Sequence, residues 1–95
     1  MFDIRIQESG EIQMIGRFDA AQTDKAREAL DPIDSSCVID MRELEYMSSA
    51  GLGILLFTAQ RINRSGGQVT LKNISQNIRR ILALSGMERV FTIEE

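Results

Sequence analysis

Four residues, Cys37-Val38-Ile39-Asp40, do most to limit the folds open to this chain. The run is apolar up to its last residue and too short for an amphipathic helix. A strand of that pattern belongs in the middle of a sheet, buried on both faces. A short polar linker, Met41 to Met47, leads into Ser48-Ser49-Ala50-Gly51-Leu52-Gly53, where small residues open a helix from about Ser49 to Asn63. Ser65-Gly66-Gly67 stops that helix, and Gln68-Val69-Thr70-Leu71-Lys72 follows as a strand. Strand, helix and strand in that order call for a parallel pair joined by a right-handed crossover. The class is α/β.

The flanking segments extend the same scheme. Phe2-Asp3-Ile4-Arg5-Ile6 alternates apolar and polar, Ile12-Gln13-Met14-Ile15 does so more loosely, and Glu8-Ser9-Gly10-Glu11 between them reads as a hairpin turn. Gly16-Arg17-Phe18-Asp19 closes the second strand. Ala20 to Leu30 is rich in helix formers, and Asp31-Pro32 ends it. Ser75 caps a third helix that reaches Leu84, with Ile78, Ile81 and Leu82 at core spacing and Ser85-Gly86 as the stop. Val90-Phe91-Thr92-Ile93 is a closing strand or extended tail. The expected order is β-β-α-β-α-β-α-β in one domain spanning residues 1–95.

Composition removes several function classes. Hydrophobic residues make up 43% of the chain, which suits a packed domain and excludes wholesale disorder. The net charge of −3, with no basic cluster longer than Arg79-Arg80, argues against a nucleic-acid surface. With 0 histidines there is no imidazole base, no Ser/His triad and no histidine metal site. The single cysteine, Cys37, sits in an apolar run and has no internal disulfide partner, as expected of a buried residue in a reducing compartment. No apolar stretch approaches the ~20 residues that cross a bilayer, and Met1-Phe2-Asp3-Ile4-Arg5 carries no signal-peptide pattern. The expectation is a cytoplasmic protein without direct membrane insertion. Asp24 and Asp40 lack a catalytic motif, and Asp19 reads as a helix cap. The glycines at 51 and 53 complete no phosphate-cradling pattern, so neither catalysis nor a cofactor is expected.

Two features point instead to a regulated contact. Serine is a favoured N-cap because its oxygen accepts an orphan helix N–H, and two in succession suggest that one caps while the other is presented. A phosphate added at a helix N-terminus is well tolerated there, so it changes the surface more than the fold. Along the helix, Leu52, Leu55, Leu56, Ala59 and Ile62 form the core face at ~100° per residue. Ile54 and Phe57 fall off it, either covered by neighbouring helices or free as a docking patch close after Ser49.

Four segments, in order, resemble the STAS-domain family and especially its stand-alone bacterial members, the anti-sigma factor antagonists. Gly16-Arg17-Phe18-Asp19-Ala20 resembles the family's segment before the first helix, and Val38-Ile39-Asp40-Met41 its apolar strand ending in Asp-Leu. Met47-Ser48-Ser49-Ala50-Gly51-Leu52-Gly53 resembles the family signature, and Ile81 to Phe91 its closing Leu-x-Leu-Thr-Gly segment. The resemblance covers nearly the whole chain.

It implies a four-to-five-stranded mixed sheet with helices largely on one side. It further implies partner switching: the unphosphorylated protein binds an anti-sigma factor serine kinase and releases a sigma factor, phosphorylation breaks the complex, and a serine phosphatase resets it. Carried over by position, the phosphoacceptor is Ser49, with Ser48 as the alternative because serine stands where the family often has aspartate. The implied partner surface comprises Asp19, Ser48, Ser49, Ala50, Gly51, Gly53, Ile54 and Phe57. The same fold also serves as a non-phosphorylated accessory subunit of lipid-transport ATP-binding cassette complexes.

Overall fold

Phe2–Ile6 (β1) and Ile12–Phe18 (β2) form an antiparallel hairpin, with Phe2 opposite Gly16 and Ile6 opposite Ile12. Its turn is tightened by Gly10 at φ 90° and closed by Gln7 N donating to Glu11 O at 2.8 Å. The computed structural model describes residues 1–94. After β2, a 3₁₀ turn over Ala20–Gln22 runs into α1, Thr23–Leu30, so the helix expected from Ala20 has a tighter first turn. Then come β3 (Cys37–Met47), α2 (Ser49–Arg64), β4 (Val69–Lys72), α3 (Gln76–Ser85) and β5 (Thr92–Glu94). Ser75 caps α3 by accepting from Ile78 N at 3.1 Å, and Gly86, at φ 72°, ends it.

The five strands lie in the order β1-β2-β3-β4-β5, and every pair after the hairpin is parallel. Each crossover therefore steps one place in the same direction. Right-handed connections, the hand such units take, carry α1, α2 and α3 over one face of the sheet. Burial agrees. On β2, Ile12, Met14 and Phe18 are buried while Gln13, Ile15 and Arg17 on the other face are half-buried or exposed. On β4, Val69 and Leu71 face inward and Thr70 and Lys72 outward.

Two expectations need correction. Cys37-Val38-Ile39-Asp40 is central in the sheet but not buried on both faces: Ile39 is buried, while Val38 and Asp40 lie half-buried on the uncovered face. A monotonic strand order leaves that face without helices. The second concerns residues 41–47, read as a polar linker, which continue β3 along β2. The inward residues Met41, Leu44 and Met47 are spaced by three, which a regular strand would point alternately in and out. Register shifts opposite Gln13/Ile15 and Gly16/Arg17 insert an extra β3 residue at each interval, so all three face the helices.

α2 lies in the middle of the helical layer, with Leu52, Ile54, Leu55, Ala59 and Ile62 buried. Leu56, placed on the core face by the helical wheel, is only half-buried. Arg61 ties α2 to α1: its guanidinium donates to Ile33 O at 2.7 Å and Leu30 O at 3.1 Å. These charge-assisted bonds fix the chain just past the end of α1, where Leu30 O also accepts from Ile33 N at 3.0 Å.

Candidate functional site

The end of β2 and the start of α2 meet at a tight backbone contact. Ser48 N donates to Phe18 O at 2.9 Å. A Cβ on Gly51 would lie 3.0 Å from both the Phe18 ring and the Phe18 carbonyl oxygen. The helix can start this close to the sheet only because residue 51 has no side chain. Phe18 cannot yield easily, since its ring is fully buried and stacks on Phe2 with centroids 4.7 Å apart.

The two serines divide the work at that start. Ser48 has extended backbone (φ −78°, ψ 169°), and its Oγ accepts from Gly51 N at 3.1 Å. Its carbonyl accepts from Leu52 N at 2.9 Å, so Ser48 is the N-cap by both main chain and side chain. Ser49 is exposed, and its hydroxyl has no such duty. With the Gly51 and Leu52 N–H groups taken, those of Ser49 and Ala50 remain the donors of the first turn without a partner among the described residues. No acidic residue stands in that turn, while Arg61 and Arg64 stand in the last one. The positive end of the helix dipole is thus left open to an added anion beside Ser49.

Next to this turn, α1 and α2 flank a groove of about 580 Å³. Ala50, Gly53, Ile54, Phe57 and Thr58 line it from α2, and Ala20, Thr23, Arg27 and Asp31 from the α1 side. Ile54, expected on the outer side of α2, is 8% exposed and belongs to the core, whereas Phe57 is 57% exposed. The difference follows from the packing of α1 against α2, which covers Ile54 at the groove floor and leaves the Phe57 ring on the rim. Asp19 is half-buried nearby and caps the 3₁₀ turn through Oδ1, which accepts from Ala21 N at 3.1 Å. The structure therefore brings Asp19 next to the serine turn, through the Ser48 N to Phe18 O bond, and places Gly53 and Phe57 further along α2 in the wall of the groove. The contribution of α1 was missed from sequence. Its trace was present, since Thr23, Arg27 and Asp31 recur at the four-residue spacing of one helix face.

Gly53 differs from Gly51. A Cβ built on it meets nothing within 4 Å, so its lack of a side chain serves no packing need. Gly53→Ala is expected to raise stability by up to ~1 kcal/mol through helix propensity, which for a domain of this size lifts the melting temperature by ~4–8 °C. Thermal unfolding followed by circular dichroism checks this; an unchanged or lowered midpoint would show that the position is constrained after all.

The remaining ionisable groups sit apart from the serine turn. Burial pushes Asp40 upward, but hydrogen bonds from the Asn73 amide (2.9 Å) and Arg42 N (3.0 Å) outweigh it and hold the carboxyl below its ordinary value. That bond to Asn73 braces a residue held at φ 58° after β4, a structural duty. Burial raises the Cys37 thiol, with the Arg61 charge opposing, so the thiol is held in its protonated form. Among the described residues no group of three or more His, Cys, Asp or Glu side chains could hold a metal ion, and no helix is long and apolar enough to cross a membrane.

A one-sided sheet with strand order 1-2-3-4-5 and a serine turn opening the central helix defines a class, the STAS domain. The STAS domain family matches residues 3–95, and the chain belongs to it. It is 34% identical to a STAS-domain containing protein of Pseudomonas aeruginosa, over 86% of this chain and 84% of that one. It is 26% identical to the anti-sigma-B factor antagonist of Bacillus subtilis, over 87% of this chain and 79% of that one. Among solved structures, the anti-sigma factor antagonist SpoIIAA in its unphosphorylated form superposes with a TM-score of 0.74 at 15% identity, covering 100% of this chain and 88% of that one. The phosphorylated form of the Bacillus SpoIIAA gives 0.72 at 17% identity, covering 100% and 92%. At those identities the likeness to SpoIIAA is one of fold.

Proposed function

We propose that this chain is an anti-sigma factor antagonist that works by partner switching. Unphosphorylated, it binds an anti-sigma factor serine kinase in the cytoplasm through the serine turn and the α1–α2 groove, and so frees a sigma factor. Phosphorylation of Ser49 ends that binding, and a serine phosphatase restores it. The observation that carries the reading is the division between the serines: Ser48 Oγ is engaged as the cap, and Ser49 stands exposed next to Ala50, which lines the α1–α2 groove. Relatives named as anti-sigma factor antagonists support it.

The physics of the switch is local. A phosphate brings about −1.5 to −2 charges to a turn with free N–H donors, where the fold accommodates them. The same charge at the rim of a groove lined by Ala50, Ile54 and Phe57 must be desolvated if a partner is to cover it. A contact made by burying that surface is lost. On this reading the chain is a substrate and a ligand, not an enzyme.

The test is to incubate the protein with a candidate anti-sigma serine kinase and ATP, then map phosphate by peptide mass spectrometry while following the complex by size-exclusion chromatography. The expected result is one phosphate, on Ser49, with dissociation of the complex. Phosphate on Ser48 would overturn the assignment of the acceptor. Stable association with an ATP-binding cassette assembly, with neither serine modified, would overturn the switch itself in favour of an accessory-subunit role.

A further inference from the structure

The outer edge of β1 is the longer of the two free edges of the sheet, since β5 spans only Thr92–Glu94. Two hydrogen bonds establish which of its backbone groups face outward. Arg17 N donates to Met1 O at 2.7 Å, and Gln7 N donates to Glu11 O at 2.8 Å. Because bonded and non-bonded pairs alternate along an antiparallel ladder, Met1, Asp3, Arg5 and Gln7 turn their N–H and C=O toward β2. Phe2, Ile4 and Ile6 turn theirs away from it.

Two of these outward groups are already engaged. Lys25 Nζ, reaching from α1, donates to Phe2 O at 2.9 Å, and Ile4 N donates to Asp3 Oδ1 at 2.9 Å. Lys25 and Asp3 face each other at 3.7 Å, and Arg5 Nε lies 2.7 Å from Asp3 Oδ2. One ammonium on a C=O and one carboxylate on the next outward N–H supply what a residue of an added strand would supply.

We propose that β1 is a docking strand for a second copy of this chain, closed in the isolated molecule by Lys25 and Asp3. The segment Phe2-Asp3-Ile4-Arg5-Ile6 is self-complementary about Ile4. Set antiparallel to itself with Ile4 opposite Ile4, it brings Phe2 against the second copy's Ile6 on the helix-covered face. On the open face it brings Asp3 against the second copy's Arg5, an opposite-charge cross-strand pair. Ile4, whose N–H and C=O both point outward, becomes the hydrogen-bonded central pair. The arrangement is a closed two-fold one, in which Ile6, 53% exposed in the isolated chain, is covered.

Analytical ultracentrifugation of the full chain tests this. Lys25→Ala frees Phe2 O while leaving Asp3 and Arg5 in place on a helix that tolerates alanine well. It is expected to tighten dimerisation at least tenfold over the parent protein. Adding Ile4→Pro to Lys25→Ala removes an N–H that β2 does not use, so the hairpin is kept and the dimer is lost. Adding Arg5→Asp instead sets like charges opposite one another. This variant is also expected to be monomeric, and it keeps the test open if proline unsettles the strand. A Lys25→Ala protein no more associated than the parent, or a Lys25→Ala dimer that persists with Arg5→Asp, overturns the proposal.

Discussion

Replacing Gly16 with alanine is expected to cost about 3 kcal/mol or more, a loss of ~12–24 °C in melting temperature for a domain of this size. Gly16 has φ 89°, and a Cβ there would stand 2.2 Å from Met1 O and 3.0 Å from the Met1 carbonyl carbon. The backbone conformation alone costs an L-residue ~1–2 kcal/mol. Relieving the clash also breaks the Arg17 N to Met1 O bond, and it swings the first residues of β1 outward. Phe2, 3% exposed and stacked on Phe18, then leaves the core. Gly10→Ala is the control: it shares a positive φ, at 90°, but has open space around its Cβ. Its cost should stay near ~1 kcal/mol. Urea unfolding of both variants separates conformational strain from steric conflict; equal costs would show that the contact with Met1 is soft.

What could be read from the chain, and what could not, divides along physical lines. The helix starts were legible because Ser48 and Ser75 cap in the usual way, and the stops because Gly66-Gly67 and Gly86 follow the last turns. The second half of β3 was hidden because its apolar residues recur every third position. That spacing fits a strand only when two bulges absorb the surplus residues, and the bulges depend on the partner strand. Likewise, Val38 has the side chain of a buried residue but lies on the face the crossovers leave bare. The direction of every crossover decides that, and no local pattern carries it. At the site, the serine pair declared itself through capping chemistry. The groove did not, because its other wall comes from α1 and the residues flanking it, and the burial of Ile54 depends on how two helices separated by residues 31–48 pack together.

The second large effect is expected at Ser49. Ser49→Asp should leave the fold at least as stable as the parent, because a carboxylate in the first turn of α2 interacts favourably with the helix dipole by ~0.3–1 kcal/mol. On the proposed function, its affinity for an anti-sigma serine kinase should nevertheless fall by roughly 100-fold, about 2.7 kcal/mol, since a charge covered by a partner without a counter-charge goes undersolvated. Ser49→Ala should bind as the parent does and resist release by ATP. Ser48→Ala separates the roles from the other side. It removes the oxygen that accepts from Gly51 N and should cost ~1 kcal/mol of stability while leaving Ser49 phosphorylatable. Calorimetric titration against the purified kinase, paired with thermal melts of all three variants, reads both axes. A stable Ser49→Asp protein that binds with undiminished affinity would show that charge at this turn does not control the contact. The Ser48→Ala melt would then still report on the cap alone, because Ser48 Oγ is the hydroxyl that accepts from Gly51 N.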